Sequence, residues 1–250
     1  MQKKIIMSLI MIVLFQFNTL FAGSAKEIVR KANELIRASS SFSELSMKIV
    51  KPDWSRELDM KVWSLEPDYS LVLITKPVKD KGAVFLKREK EVWNWVPTIS
   101  KVIKIPPSMM LQSWMGSDFN NDDLVRQSSI VEDYKHEIIA EEEYDGYECH
   151  KIQLNPKPEA GVVWGKILTW ITKEGYIQLK SDYYDEDEFL VKSMIGTNIQ
   201  KMGGRTFPLH WEMIPLDKPG QKTVMDYINI EFNIKTKASF YSQKNMKRVR

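Results

Sequence analysis

The residues that could perform catalytic chemistry are few and widely separated in this sequence. The three histidines are His136, His150 and His210, each on a different predicted strand, and no two of them have metal-ligand spacing. The single cysteine, Cys149, precedes His150, but neighbouring residues on a strand point to opposite faces of a sheet. The two therefore cannot form a nucleophile–base pair. We expect a packed cysteine and a surface histidine.

The carboxylates also lack a catalytic arrangement. Asp182 and Asp185 could be paired, but no apolar surroundings are predicted that would separate their pKa values. Asp118, Asp122 and Asp123 remain, and either of the last two is explained more simply as the N-terminal cap of a following helix. The sequence thus predicts neither an enzyme, nor a metal site, nor a cofactor.

A dense cluster of methionines and aromatic residues is the most unusual feature of the chain. It lies between Ser108 and Arg126 and contains Met109, Met110, Met115, Trp114 and Phe119. Flexible thioethers beside large aromatic rings form a surface that can repack around apolar guests of variable shape. A plain core helix would have the same composition, so the segment alone leaves both interpretations open.

The tryptophans suggest a second apolar surface. The chain has eight, and Trp63, Trp93 and Trp95 fall in patterns typical of strands. Such rings could wall an apolar cavity on one face of a curved sheet, or they could simply fill a core.

The first residues have the layout of a secretory signal peptide. Lys3 and Lys4 precede an apolar run at 5–21, and small residues follow at 22–25. We predict a signal peptide at 1–22, cleaved after Ala22 or Ala25, and an exported, soluble domain at 23–250. No cysteine lies near the cleavage region, so we do not expect the chain itself to be lipidated.

Charge excludes one class of partner. Removing Lys3 and Lys4 lowers the formal net charge from +3 to +1, which leaves no strong basic field for nucleic acid. Lysines and arginines at 244–250 form a basic tail, which we expect to be a solvated, frayed end.

Hydrophobic periodicity predicts one helix followed by many strands. Apolar residues recur at helical spacing from 28 to about Ser39, and a period of two begins after that. The predicted strand segments are 45–49, 58–62, 71–75, 83–87, 91–96, 101–105, 135–142, 148–154, 166–172, 177–184, 188–199, 206–213 and 223–234. Tight turns between short strands require antiparallel neighbours.

The fold class that follows is α+β, mainly antiparallel. We expect a single domain with roughly 11–12 strands, and a sheet of that size curls or closes. Helical pieces within 108–126 would cover its open side. The expected architecture is therefore an unclosed half β-barrel with a leading helix and a helical lid over an apolar cavity.

One segment resembles a known family. Residues 113–125 read Ser-Trp-Met-Gly-Ser-Asp-Phe-Asn-Asn-Asp-Asp-Leu-Val, and this stretch resembles the signature of LolA-like outer-membrane lipoprotein-sorting proteins. The aromatic pair Phe240-Tyr241 before the basic tail also resembles the C-terminal end of that family. The resemblance extends over essentially the whole chain after residue 22.

The resemblance implies a periplasmic carrier or chaperone that holds acyl chains of lipoproteins or lipids for transfer toward the outer membrane. The candidate cavity and lid residues are Trp63, Trp93, Trp95, Met109, Met110, Leu111, Trp114, Met115 and Phe119. The alternative is an accessory protein that carries nothing and docks on an ABC permease of the lipoprotein-releasing type. Its candidate docking residues are Asp118, Asp122 and Asp123.

Overall fold

The structure is a computed structural model. One antiparallel sheet makes up most of it. The described residues are 25–110, 112–121, 123, 130–158, 160, 162 and 164–250. The predicted signal peptide at 1–22 and the bond after Ala22 lie outside these residues. Within the described part of the chain, no helix has the length and apolar character needed to cross a membrane.

Every predicted strand segment forms a separate strand, so the sheet has thirteen strands and not the roughly 11–12 expected. The predicted bounds match at 91–96, 101–105 and 166–172 and differ at the ends of the other segments. The strands are β1 (Ser40–Val50), β2 (Ser55–Leu65), β3 (Tyr69–Lys76), β4 (Val84–Arg88), β5 (Glu91–Val96), β6 (Lys101–Ile105), β7 (Tyr134–Tyr144), β8 (Tyr147–Pro156), β9 (Lys166–Thr172), β10 (Gln178–Tyr184), β11 (Leu190–Met202), β12 (Arg205–Pro215) and β13 (Lys222–Phe232).

Two meanders meet in the middle of this sheet. The strand order is β6-β5-β4-β3-β2-β1-β13-β12-β11-β10-β9-β8-β7, with antiparallel pairing throughout. The junction is the pairing of β1 with β13, which runs from Ser41 opposite Phe232 to Val50 opposite Lys222. Consequently β6 and β7, which follow each other in the chain, form the two open edges. The sheet is not closed into a barrel.

Both faces of the first meander are covered. Leu71, Val72, Leu73 and Ile74 on β3 are all buried, although successive side chains on a strand point to opposite faces. Val72 and Ile74 belong to one apolar cluster, and Leu71 and Leu73 belong to another. We call the face that carries Val72 the inner face and the opposite one the outer face.

The leading helix, α1, spans 25–36 and covers part of the inner face. Its apolar stripe, which includes Ile28, Val29 and Ala32, packs against strands β8 and β9. The helix ends before the predicted Ser39 because the chain there already pairs with the sheet. The Ser39 carbonyl accepts a hydrogen bond of 3.0 Å from the Glu66 backbone N–H.

The C-terminal segment covers the outer face, so the predicted frayed end is wrong. Tyr241 and Met246 are fully buried, and Val249 is also buried, against strands β3, β4 and β5. A short helix, α2 (Gln243–Met246), begins after Ser242, whose side chain accepts a hydrogen bond from the Asn245 backbone N–H. The apolar residues interleaved with the tail's basic ones fasten it to the sheet.

This packing predicts a measurable contribution to stability. Met246→Ala should lower the free energy of unfolding by about 2–5 kcal/mol, because it leaves a cavity under α2. Chemical denaturation measures this change, and Lys244→Ala on the exposed side of the same helix is the matched control. Equal midpoints for the two variants would show that the tail does not pack as described.

Candidate functional site

A pocket of about 260 Å³ lies on the inner face, between α1 and the segment that links β6 to β7. The inner face of the sheet supplies most of its wall. Lining residues from α1 and the strands include Val29, Asn33, Ile36, Arg37, Ser41, Ser43, Leu45, Met47, Met60, Val62, Ser64, Tyr69, Ser70, Val72, Lys87, Thr169, Ile171, Met194, Trp211, Met225 and Tyr227.

The pocket changes from polar to apolar along β1. Ser41 and Ser43 line its first part, and Leu45 and Met47 line the next. Period-two alternation explains this, since all four side chains project from the same face of one strand. Strand β1 alone therefore gives one wall of the pocket a hydroxyl-lined end and an apolar end.

Hydroxyls and charged groups gather at the polar end. The Oγ atoms of Ser41 and Ser64 lie 2.9 Å apart, within hydrogen-bond distance. Arg37 Nη1 lies 3.7 Å from Glu66 Oε1. Lys87 is buried, and its Nζ donates a hydrogen bond of 2.9 Å to the Pro67 carbonyl. Burial lowers the pKa of the Lys87 ammonium, because removal from water disfavours its charged form.

The apolar end is walled by methionines and by two aromatic residues of the linking segment. Trp114 and Phe119 are buried and pack into the inner-face cluster with Met47 and Met60. The Trp114 ring lies 5.3 Å from the ring of Phe85 in an edge-on arrangement. Unbranched thioethers adapt to apolar partners of different shapes, so this wall suits a flexible guest.

The segment that carries these aromatics is a small hairpin at 112–121, and not the short helix predicted for the Met-rich part of 108–126. A 3₁₀ turn covers Pro107–Met109, and an isolated bridge then pairs Ser113 with Asn120. Within it, the Trp114 N–H donates to the Phe119 carbonyl at 2.8 Å.

The tip of this hairpin explains why the helix is absent. Met115 and Gly116 both have positive φ, 56° and 83°, and the Ser117 N–H donates to the Trp114 carbonyl at 2.9 Å. Two successive positive φ values define a type I′ turn, which joins strands and interrupts a helix. The Ser117 hydroxyl also donates to the Trp114 carbonyl at 2.7 Å.

A buried ion pair fastens the hairpin to the centre of the sheet. Lys51 Nζ lies 2.7 Å from Asp118 Oδ1, and the two side chains are 15% and 5% exposed. Thr223 donates to the other carboxylate oxygen of Asp118 at 2.7 Å, and it accepts from the Asp118 N–H at 2.9 Å. These contacts connect the hairpin to the ends of both β1 and β13.

A second ion pair fastens the segment beyond the hairpin. Lys192 Nζ on β11 lies 2.9 Å from Asp123 Oδ2, and both side chains are largely buried. The same ammonium lies over the rings of Trp164 and Tyr183. Asn120 and Asp123 exchange side-chain-to-backbone hydrogen bonds of 2.8 Å, as in a capping box. Asn120 therefore occupies the cap position that we assigned to Asp122 or Asp123.

The predicted cavity residues divide between the two faces. Trp114 and Phe119 line the pocket, and Met115 packs against the same cluster. Trp63, Trp93 and Trp95 lie instead on the outer face, under the C-terminal segment. Trp63 faces away because its neighbour Val62 points into the pocket. Trp93 and Trp95 pair with Leu86 and Val84, which belong to the same outer-face cluster. The remaining predicted residues are Met109, which is exposed, Met110, which is half-buried, and Leu111, which lies outside the described residues.

The predicted docking carboxylates make intramolecular contacts. Asp118 and Asp123 form the two ion pairs that hold the segment over the inner face. Asp122 lies outside the described residues. Sequence reasoning missed this role because Lys51 and Lys192 are distant in the chain and no local pattern connects them to the acids.

The histidines and the cysteine are dispersed over strands β7, β8 and β12. Cys149 is buried, as predicted, and burial raises the pKa of its thiol. His210 Nδ1 lies 2.7 Å from Asp226 Oδ1, between neighbouring strands β12 and β13. Among the described residues, no group of three or more His, Cys, Asp and Glu side chains could hold a metal ion.

Comparison with known proteins shows where the chain belongs. A family model described as "Uncharacterized protein" matches residues 66–248, well over half of the chain. The chain belongs to this family. No curated protein matches its sequence.

Solved structures show that the fold is LolA-like. A DUF1329 family protein from Desulfovibrio piger has a TM-score of 0.82 at 21% identity, over 90% of this chain and 99% of that one. An outer membrane lipoprotein-sorting protein domain from Vibrio parahaemolyticus has a TM-score of 0.79 at 21% identity, covering 91% and 100%. A LolA superfamily protein from Nitrosomonas europaea has a TM-score of 0.75 at 21% identity, covering 88% and 98%. The resemblance to LolA-like proteins is confirmed.

Removing the buried carboxylate should loosen the hairpin of this LolA-like fold. Asp118→Ala leaves Lys51 buried without its ion-pair partner and should lower the free energy of unfolding by about 3–5 kcal/mol. Amide hydrogen exchange should also accelerate across 112–121. The matched control is Glu91→Ala, whose ion pair with Lys104 is half-exposed, and which should cost about 1 kcal/mol or less. Similar losses in both variants would contradict the anchoring role.

A histidine next to the linking segment should make stability depend on pH. His136 is buried on β7, its Nε2 lies 2.9 Å from the Ile130 carbonyl, and burial lowers its pKa below the ordinary 6.5. As pH falls below 6.5, the unfolded state binds the proton first, so stability decreases. His136→Gln should flatten this decrease in thermal unfolding. An unchanged slope in the variant would exclude His136 as its source.

Proposed function

We propose that this chain is a periplasmic carrier that binds an acyl chain of a lipoprotein or phospholipid in the inner-face pocket. Transfer of that chain toward the outer membrane would be its role. The observation that carries the proposal is the polar-to-apolar gradient of the pocket on an open LolA-like sheet. A lipid has the same gradient, from head group to acyl chain.

The physical need for such a pocket is large. Exposing an acyl chain of about 16 carbons to water costs on the order of 12 kcal/mol, at about 0.8 kcal/mol per methylene. Methionines and aromatics at the apolar end would shield the chain from water. Serine hydroxyls and Lys87 at the other end would face the polar part of the lipid.

The size of the pocket bears on the cargo. Its 260 Å³ is slightly below the range of about 300–1,000 Å³ typical of small-molecule sites. With the 112–121 hairpin in place, it therefore suits one slender chain. A cargo with several acyl chains would require the hairpin to move, and the two ion pairs at Asp118 and Asp123 oppose that movement. We propose the hairpin as the lid, in place of the predicted helix.

The proposed lipid contacts differ in part from those predicted from the sequence. Trp114 and Phe119 remain proposed lipid contacts, and Met115 supports them from behind. The outer-face residues Trp63, Trp93 and Trp95 are replaced by strand residues of the inner face. These are Leu45, Met47, Met60, Val62, Met194 and Met225.

The related folds support a carrier over a catalyst. One structural neighbour is named as an outer membrane lipoprotein-sorting protein domain and another as a LolA superfamily protein. The proposed periplasmic location rests on these names and on the predicted signal peptide. The alternative of a permease-docking protein without cargo gains no specific support, since it calls for a filled interior and exposed carboxylates at 118 and 123.

Filling the pocket should block binding without unfolding the chain. Met225→Trp places an indole in the pocket from β13, and it should weaken binding of a fluorescent fatty acid by about tenfold or more. Ile228→Trp is the matched control, because Ile228 lies on the same strand but is exposed and does not line the pocket. It should bind as the wild type does.

Thermal unfolding of both variants separates blocked binding from misfolding. Equal fatty-acid affinity for folded Met225→Trp and wild type would overturn the pocket as the lipid site. Absence of binding by all three proteins would overturn the carrier proposal itself.

A further inference from the structure

Three hairpin turns lie in a row at one end of the first meander. They are the β1–β2 turn at 51–54, the β3–β4 turn at 77–83 and the β5–β6 turn at 97–100. We call them the turn row. Because β1 to β6 are neighbours in order, consecutive turns are two strand spacings apart, about 10 Å. The row is thus about 20 Å long.

Each turn of the row presents one large apolar side chain to solvent. Trp54 is 49% exposed, Val78 90% and Ile99 54%. The turns at the opposite end of the same strands, 66–68 and 89–90, read Glu-Pro-Asp and Glu-Lys. Single exposed apolar residues are ordinary, but here they recur at one end of the sheet and are absent from the two turns at the other.

The second and third turns of the row carry exposed lysines, whereas the first has one exposed acid, Asp53, before Trp54. Lys79 and Lys81 flank Val78 closely, Lys101 follows Ile99, and all three are exposed. The acid between the first two, Asp80, is paired with Arg56. A contrasting turn lies between β10 and β11, where the exposed Phe189 follows four consecutive acids at 185–188.

This combination fits a lipid surface better than a protein partner. Apolar side chains at protruding tips can enter the boundary between head groups and acyl chains, and neighbouring lysines attract anionic lipids. Protein interfaces, by contrast, are depleted in lysine. We propose that the turn row docks this protein on an anionic membrane surface.

Docking through the turn row brings the hairpin lid close to the membrane. Lys51, which anchors the hairpin through Asp118, begins the first turn of the row, three residues before Trp54. The apolar end of the pocket lies under the same hairpin. The docking proposal itself does not depend on what the pocket holds.

Sedimentation with lipid vesicles tests the proposal. Vesicles of phosphatidylethanolamine with phosphatidylglycerol should pull down the wild type, and vesicles of phosphatidylcholine should pull down much less. The triple variant Trp54→Ser, Val78→Ser, Ile99→Ser should lose sedimentation. Lys79→Glu with Lys81→Glu should weaken it by about fivefold or more for each lysine.

Phe189→Ser is the matched control, because it removes an exposed apolar side chain from an acidic turn and should leave sedimentation unchanged. Circular dichroism checks that every variant is folded. Lipid found in the supernatant reports cargo uptake and is scored separately, so failure of the carrier proposal does not affect this result.

Two outcomes would overturn the proposal. Wild-type protein that stays in the supernatant with anionic vesicles would assign the turn row to a protein partner or to none. Equal sedimentation of the wild type and the triple variant would place the membrane contact elsewhere on the molecule.

Discussion

The pairing of β1 with β13 determines where every cover of this sheet can lie. It joins two meanders at the centre, so β6 and β7 become opposite open edges although they follow each other in the chain. The segment between them has to pass over the sheet, and burying apolar surface is what stabilises that path. The segment buries Trp114 and Phe119 against the inner face, and the buried ion pairs at Asp118 and Asp123 hold it there. The pocket is the space left between this segment, α1 and the inner face.

Cover on both faces explains why the first meander is so rich in apolar residues. The C-terminal segment protects the outer face through Tyr241 and Met246, and the hairpin protects the inner face through Trp114 and Phe119. In the described part of the chain, the inner cover leaves an internal space, and the residues around that space change from hydroxyls to thioethers. The backbone ladder from β6 to β7 pairs strand with strand and includes no residue of this cover. In the proposed carrier function, the cover moves while the ladder stays paired.

Period-two alternation in the sequence was enough to place the strands, and the bounds of β5, β6 and β9 agree with the structure. It could not assign faces, because alternation separates Val62 from Trp63 without saying which one points inward. Both faces are covered at Leu71–Ile74, so apolar residues occupy both. Composition therefore does not distinguish the inner face from the outer one. The hairpin escapes prediction from the sequence because its turn is Met115-Gly116, without the Asn-Gly or Asp-Gly pair that signals a type I′ turn. The Lys51–Asp118 pair joins residues 67 positions apart, and no local pattern records such a contact.

Native mass spectrometry of protein purified from the periplasm without detergent tests the central claim most directly. Solvent extraction and lipid analysis of the same sample would identify what is bound. The account predicts a bound species with the mass of an acyl-chain lipid, which is lost in the folded Met225→Trp variant. A ligand-free mass that remains unchanged after incubation with phospholipid or an acylated peptide would contradict it.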